Sequence, residues 1–274
     1  MSDDRPIGIF DSGIGGLTVT ARIRQALPTE RLLYFGDGAH VPYGPRGLEE
    51  VRRFSFAITE ALLAKGAKMI VIACNSASAA ALRPLREAYP DVAFVGMEPA
   101  VKPAVEHTRT GVVGVMATVA TFQSALYGTI VERFAQGVEM IHQPCPGLVK
   151  QIEAGEFDSE VTEQLLRGWL EPMLERNIDA LVLGCTHYPL VRPLIERIVG
   201  PEVRVIDPAP AIARQVERVL HRDGIAANVT SIGELRCYTS GDPEQFLRMM
   251  ERLGLDGPPV RQATWDQEAT LTLP

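Results

Sequence analysis

Two cysteines with matched surroundings, Cys74 and Cys185, are the residues of this 274-residue chain best placed to do chemistry. Cys74 ends the run Val71-Ile72-Ala73 and precedes Asn75-Ser76. Cys185 ends the run Leu181-Val182-Leu183-Gly184 and precedes Thr186-His187. A short apolar run bounded by polar turn residues reads as a buried parallel strand. Each thiol is therefore expected at the carboxyl end of a strand, where open α/β sheets bind ligands. The thiolate is the reactive form of cysteine, and a helix start or a cation beside the sulfur favours it. Asn75, Ser76, Thr186 and His187 offer donors for a carboxylate, and Asp11 and His187 are candidates to move protons to and from the sulfurs. One reaction for two thiols is disulfide exchange, which needs Cα atoms within about 7 Å; strand ends from different halves of a chain do not readily meet that limit. A better fit is removal of a Cα proton on one face of a substrate and delivery of another on the opposite face. The product is then the mirror image. Cys145 and Cys237 lack such surroundings and read as small core hydrophobes.

Two glycine-bearing loops accompany the thiols. Asp11-Ser12-Gly13-Ile14-Gly15-Gly16 follows a strand and precedes a helix expected over 17–27. Such a loop either caps the helix or presents N–H groups to an anion. It is neither a phosphate-binding P-loop nor a dinucleotide fingerprint. Gly36-Asp37-Gly38-Ala39-His40-Val41-Pro42-Tyr43-Gly44 also follows a strand. Alone it is an ordinary turn; beside Cys74 at the same sheet edge, Pro42, Tyr43 and Gly44 become a candidate substrate wall.

These loops need a scaffold that brings strand ends together. Strands are expected at 7–10, 32–35, 69–73, 92–95, 112–115, 139–142, 180–183 and 203–206, with amphipathic helices between them, such as 48–64 and 161–176. The βαβα order implies parallel sheets covered by helices on both faces. The pattern also occurs twice. Ile7-Gly8-Ile9-Phe10-Asp11-Ser12 resembles Val113-Gly114-Val115-Met116-Ala117-Thr118, and both cysteine segments lead into Arg-Pro-Leu, at Arg83-Pro84-Leu85 and Arg192-Pro193-Leu194. Two similar α/β halves follow: residues 1–97 with 208–274 carrying Cys74, and residues 98–207 carrying Cys185. The chain is expected to cross between them near 96–103 and to return at Asp207-Pro208-Ala209-Pro210. From Pro258 onward the periodicity fades and the end reads as a tail.

Composition removes several function classes. A net charge of −7 without long Lys/Arg runs gives no nucleic-acid footprint and none for an acidic membrane. No apolar stretch approaches the roughly 18 residues of a membrane span, and the acidic, polar start carries no signal-peptide core. A cytoplasmic protein is expected. The four cysteines have no framework spacing and read as thiols rather than disulfides. Neither a Cys-x-x-Cys pair nor a Cys/His cluster at zinc spacing occurs, so no metal is expected.

Together, Gly8-Ile9-Phe10-Asp11-Ser12-Gly13-Ile14-Gly15-Gly16, Pro42-Tyr43-Gly44, Ala73-Cys74-Asn75 and Gly184-Cys185-Thr186-His187-Tyr188-Pro189-Leu190 closely resemble the glutamate racemase family, in register from about residue 6 to about 210. The Cys-Thr-His-Tyr-Pro-Leu run is more similar to the glutamate enzymes than to the related aspartate racemases, which usually carry an acidic residue where His187 stands. The resemblance implies racemisation of L- and D-glutamate without pyridoxal phosphate or metal, supplying D-glutamate for peptidoglycan. It implies two flavodoxin-like, pseudo-symmetric domains with the active site in the cleft between them, and a homodimer. Carried over by motif, Cys74 and Cys185 are the two acid/base thiols, assisted by Asp11 and His187 respectively. Asp11, Ser12, Tyr43, Gly44, Asn75, Ser76, Thr186 and His187 line the substrate, with Pro42 and Thr118 as further contacts and Asp37 and Glu153 as auxiliary acids. Two positions depart from the family pattern. Ser76 stands where threonine is usual, keeping the hydroxyl but losing a methyl. Val115-Met116-Ala117-Thr118 replaces the commoner Gly-Thr-x-Ala-Thr, leaving Thr118 as the one matching hydroxyl. The residues themselves leave two alternatives: another amino-acid racemase or a thiol isomerase of the same superfamily, and a non-catalytic protein that binds an anion and has no need of both thiols.

Overall fold

The alternation of apolar runs with amphipathic stretches becomes, in a computed structural model that describes residues 3–255 and 259–274, a series of parallel β–α units. Residues 1 and 2, part of the acidic start, and Pro258, where the tail is expected to begin, lie outside the described residues. The chain divides into two compact units, Met1–Met97 with Ala209–Pro274, and Glu98–Pro208.

The first segment runs β1 (Ile7–Asp11), α1 (Leu17–Ala26), β2 (Leu32–Gly36), α2 (Leu48–Ala64), β3 (Met69–Ile72), α3 (Asn75–Ala88) and β4 (Ala93–Gly96). The second unit runs α4 (Val101–His107), β5 (Val112–Ala117), α5 (Val119–Phe122), α6 (Ala125–Phe134), β6 (Glu139–Pro144), α7 (Leu148–Glu153), α8 (Glu160–Glu175), β7 (Ala180–Gly184), a 3₁₀ turn at Tyr188–Val191, α9 (Arg192–Val199) and β8 (Arg204–Ile206). The chain then returns to the first unit through α10 (Ala209–Arg222), β9 (Leu235–Thr239), α11 (Pro243–Arg252), β10 (Arg261–Gln262) and the hairpin of β11 (Thr264–Trp265) and β12 (Leu271–Thr272).

The sheets carry the internal repeat. The first has strand order β10-β9-β2-β1-β3-β4 and the second β6-β5-β7-β8. Both contain the same four-strand order, 2-1-3-4, with every neighbouring pair parallel. That is the flavodoxin-like doubly wound arrangement, whose strand order reverses between the first and third strands. β1, β2, β3 and β7 are buried along their whole length, as expected of parallel strands covered on both faces. In the first unit, α2 and α3 lie against β1 and β3 through Ile58, Leu62, Ala77, Ala81 and Leu85. In the second, Val101, Ala104, Tyr127 and Ile130 close over Val113, Val115, Ala180 and Val182.

Two parts of the first unit differ from expectation. Strand β9, with the sequence Leu-Arg-Cys-Tyr-Thr, carries no continuous apolar run, yet it pairs along the whole of β2. The C-terminal stretch is not a loose tail in its described part. β10 extends the main sheet, and Ala263, Leu271 and Leu273 are buried in the same core as Phe10 and Cys74. Among the described residues, no helix is long and apolar enough to cross a membrane.

Candidate active site

The two cysteines occupy equivalent places, each just beyond the third strand of its unit. Cys74 follows β3 by one intervening residue, and Cys185 directly follows β7. Each third strand lies beside the first, β1 or β5, so the loops after both strands open where the order reverses, the usual ligand position in such sheets.

In the first unit, Cys74 has extended backbone and caps α3; its Sγ accepts a hydrogen bond from the Ala77 N–H at 3.5 Å. Backbone N–H groups at a helix N-terminus stabilise negative charge on a sulfur. Asp11, the last residue of β1, is fully buried, and its Oδ2 accepts from Gly16 N–H at 2.9 Å and Gly13 N–H at 3.3 Å. The loop can fold this tightly because residue 16 is glycine. A Cβ there would lie 2.6 Å from the Asp11 Cβ and 2.7 Å from the Tyr34 hydroxyl. Ser12, Asn75 and Ser76 are all buried around these two residues in sequence. The Asn75 amide stands out: neither its oxygen nor its nitrogen has a hydrogen-bond partner, although both are buried. A buried amide left so costs about 1–3 kcal/mol per group.

Tyr43 is buried, and Pro42 and Gly44 beside it are partly so. Burial, then the charge and hydrogen bond of Asp37, push its phenol well above the usual range, with Cys74 and Asp11 adding in the same direction. Tyr43 and Cys74 belong to the same buried core. Asp37 is not an open carboxylate. Its oxygens accept from the Tyr43 hydroxyl at 2.5 Å, Ser240 at 2.7 Å, Trp265 Nε1 at 2.8 Å and His40 Nδ1 at 2.9 Å. Ser240 and Trp265 were not among the residues the sequence singled out, since both lie some two hundred positions away in the chain.

In the second unit, Cys185, Thr186 and His187 are buried on the turn after β7. His187 Nδ1 lies 3.8 Å from Cys185 Sγ, and Nε2 lies 2.6 Å from Glu153 Oε1 at the end of α7. A proton can therefore pass between sulfur and ring while the carboxylate orients the ring. Burial opposes charge on His187, but its hydrogen bonds to Cys185 and Glu153, and their charges, outweigh burial and hold the imidazole well above its usual value. A raised folded pKa stabilises the protein fully below about pH 6.5, the ordinary histidine value, and this contribution is lost as the pH rises through the raised value. Thr118, beyond β5, is half-buried; its Oγ1 caps α5 by accepting from the Thr121 N–H at 3.2 Å.

Glu153→Gln keeps an acceptor for His187 Nε2 and removes the charge. The His187 titration, followed by NMR of the ring, is expected to move to lower pH. Turnover above neutral pH is expected to fall about 10²-fold, the lower end of what a positioned acid–base group contributes. An unmoved titration would show that Glu153 does not set the charge of His187.

Cys237 stands apart from this chemistry, whereas Cys145 lies within electrostatic range of Cys185. Burial pushes the Cys237 thiol up to about 12, and burial raises that of Cys145 as well. Cys145 follows β6, on the far side of β5 from Cys185. Two inter-strand spacings put their Cα atoms about 9–10 Å apart, beyond disulfide reach. Among the described residues, no group of three or more His, Cys, Asp or Glu side chains is arranged to hold a metal.

Comparison with known proteins fits this geometry. Residues 7–216 match the family model described as Asp/Glu/Hydantoin racemase. The chain belongs to the Asp/Glu/hydantoin racemase family. Within it, the chain is 49% identical over 266 residues to the glutamate racemase of Roseiflexus sp. (strain RS-1), covering 96% of this chain and 98% of that one. Among solved structures, it is similar to glutamate racemase from Francisella tularensis in complex with D-glutamate, with TM-score 0.83 and 31% identity over 96% of this chain and 98% of that one. It is also similar to Escherichia coli glutamate racemase in complex with L-glutamate and the activator UDP-MurNAc-Ala, with TM-score 0.82 and 30% identity over 94% and 97%.

Proposed function

We propose that this racemase-family chain interconverts L- and D-glutamate by a two-base mechanism without pyridoxal phosphate or metal, and so supplies D-glutamate for peptidoglycan. The observation that carries the proposal is the matched placement of two thiols, each just beyond the third strand of the same 2-1-3-4 order. One cysteine, as thiolate, takes the Cα proton and becomes a thiol. The other, as thiol, gives its proton to the opposite face of the planar intermediate and becomes a thiolate. The Cα–H bond broken on one face is thus replaced by one formed on the other, and the two sulfurs exchange protonation states. For this both sulfurs must reach one Cα.

Asp11 serves Cys74 and His187 serves Cys185 in moving protons. Ser12, Asn75 and Ser76, the Pro42-Tyr43-Gly44 wall, and Thr186 with Thr118 hold the substrate. The unpartnered Asn75 amide supports this, because its NH2 can donate to a carboxylate and its oxygen can accept from an ammonium on the same ligand. Asp37 and Glu153 act behind this layer. The high identity to a glutamate racemase and the likeness to enzymes solved with D- and L-glutamate support the substrate. Family resemblance also supports a cytoplasmic homodimer.

A chirality-resolved assay tests the proposal. L-Glutamate, without added pyridoxal phosphate or metal, is expected to run to an equal mixture of enantiomers, and L-aspartate to remain unchanged. Turnover of L-aspartate in preference to L-glutamate would move the assignment to another racemase; no turnover of either would leave only a binding role.

A further inference from the structure

We infer that Trp265 is a positioning residue for the Cys74 half-site, holding the Tyr43 wall in place through the Asp37 carboxylate. The inference rests on the glutamate racemase reading. Its starting point is the C-terminal hairpin, which lies beyond the residues that the family model matches.

Asp37 is buried immediately after β2, and a buried carboxylate is tolerable only when its oxygens are satisfied. Two directions of support converge on it. From its own loop, Tyr43 donates to Oδ2 at 2.5 Å, and His40 Nδ1 lies 2.9 Å from the same oxygen. From the C-terminal part of the chain, Ser240 and the Trp265 indole donate to Oδ1 at 2.7 and 2.8 Å. An indole N–H can only donate, so its polarity in this network is fixed. The Tyr43 proton is committed to Asp37, which leaves the lone pairs of its oxygen to accept from the substrate side. The path from Trp265 to the wall of the site therefore has two links, both hydrogen bonds to one carboxylate.

Packing fixes the indole as well. Its ring meets His40 edge-on at 5.1 Å and Phe54 at 5.7 Å, while His40 stacks on Phe54 at 4.0 Å. Across the hairpin, Trp265 pairs with Leu271, which is buried in the core that also contains Tyr43 and Cys74. Removing the N–H while keeping an aromatic ring leaves Oδ1 short of one donor. The carboxylate is then held by Ser240, His40 and Tyr43 alone, and the tyrosine that depends on it is less firmly positioned.

The test is a double-mutant cycle of Trp265→Phe with Tyr43→Phe, with kcat and KM measured in both directions. Trp265→Phe is expected to raise KM for both enantiomers about five- to tenfold, on the scale of one hydrogen bond, with kcat within about twofold. In the Tyr43→Phe background the same change is expected to alter KM by less than about twofold. An unchanged KM, or the same factor in both backgrounds, would overturn the inference. Should Trp265→Phe not fold, Trp169→Phe leaves Trp265 as the remaining indole of the two in the chain. Its emission is expected to shift saturably with D-glutamate, with a midpoint near KM; a silent emission would overturn the inference. Failure of the underlying reading would look different, as a wild-type protein that turns over neither enantiomer.

Discussion

Cys74→Ser is expected to lower racemisation at least about 10³-fold in both directions while leaving the fold intact. A serine hydroxyl is a far weaker acid than a thiol, so at neutral pH it neither takes nor delivers the Cα proton at a useful rate, and positioned acid–base groups contribute roughly 10²–10⁴-fold. The structure separates this loss from unfolding. Cys74 is the N-cap of α3 and receives the Ala77 N–H. Serine is among the preferred N-cap residues, so the variant should melt at or above the wild-type temperature. Cys185→Ser is expected to show the same loss. Each single variant retains one thiol on one face, so it should exchange the Cα proton of one enantiomer with solvent without inverting it, and the two variants should act on opposite enantiomers. Proton NMR in deuterated water reads both outcomes. Wild-type racemisation in either variant, or exchange of the same enantiomer by both, would contradict a thiol on each face.

Asn75→Ala is expected to weaken the enzyme and strengthen the fold at the same time. Both polar atoms of the Asn75 amide are buried without a partner. That arrangement costs stability in the folded protein and is recovered only when a ligand supplies the missing partners. Hydrogen bonds to charged groups are worth about 1.5–3 kcal/mol, so losing one raises KM by about 10- to 150-fold. The same truncation removes the unsatisfied groups, and alanine suits a helix better than asparagine. Urea denaturation should therefore show stability raised by about 1 kcal/mol over the wild type, against the trend of most buried truncations. A large loss of stability with KM unchanged would make Asn75 a structural residue and remove it from the site.

The sequence was most legible where the chain is fully buried. Continuous apolar runs such as Met69-Ile70-Val71-Ile72 announce their strands because both sheet faces are covered, and the Gly-strand then Cys-strand order appears in space as the shared 2-1-3-4 sheet. β9 escaped notice because exposed Arg236 interrupts its apolar residues. The C-terminal hairpin leaves no such signal because two-residue strands are too short to show a period, and its apolar anchors Leu271 and Leu273 flank a single polar residue, Thr272, after a polar stretch. The candidate site divides in the same way. Cys74, Cys185, Asp11 and His187 sit in short motifs that name themselves. Asp37 and Glu153 could be picked out as acids, but not their tasks, because the groups that define them come from elsewhere in the chain: Trp265 and Ser240 for Asp37, His187 for Glu153. No local pattern records such pairings. Thr118 carried the expectation of a substrate contact, and its hydroxyl also caps α5, a task that Thr-x-x-Thr at a helix start allows.

The central claim is that two different thiols work on opposite faces of one Cα. The most direct measurement starts the wild-type reaction in deuterated water from each pure enantiomer and follows label at Cα in both substrate and product before equilibrium. With two bases, the delivering sulfur has exchanged its proton with solvent before the abstracted one can return. The expected result, from either starting enantiomer, is product fully deuterated at Cα and remaining substrate almost unlabelled. Early label in the recovered substrate, or product that keeps the original proton, would mean a single base serves both faces and would contradict the two-thiol account.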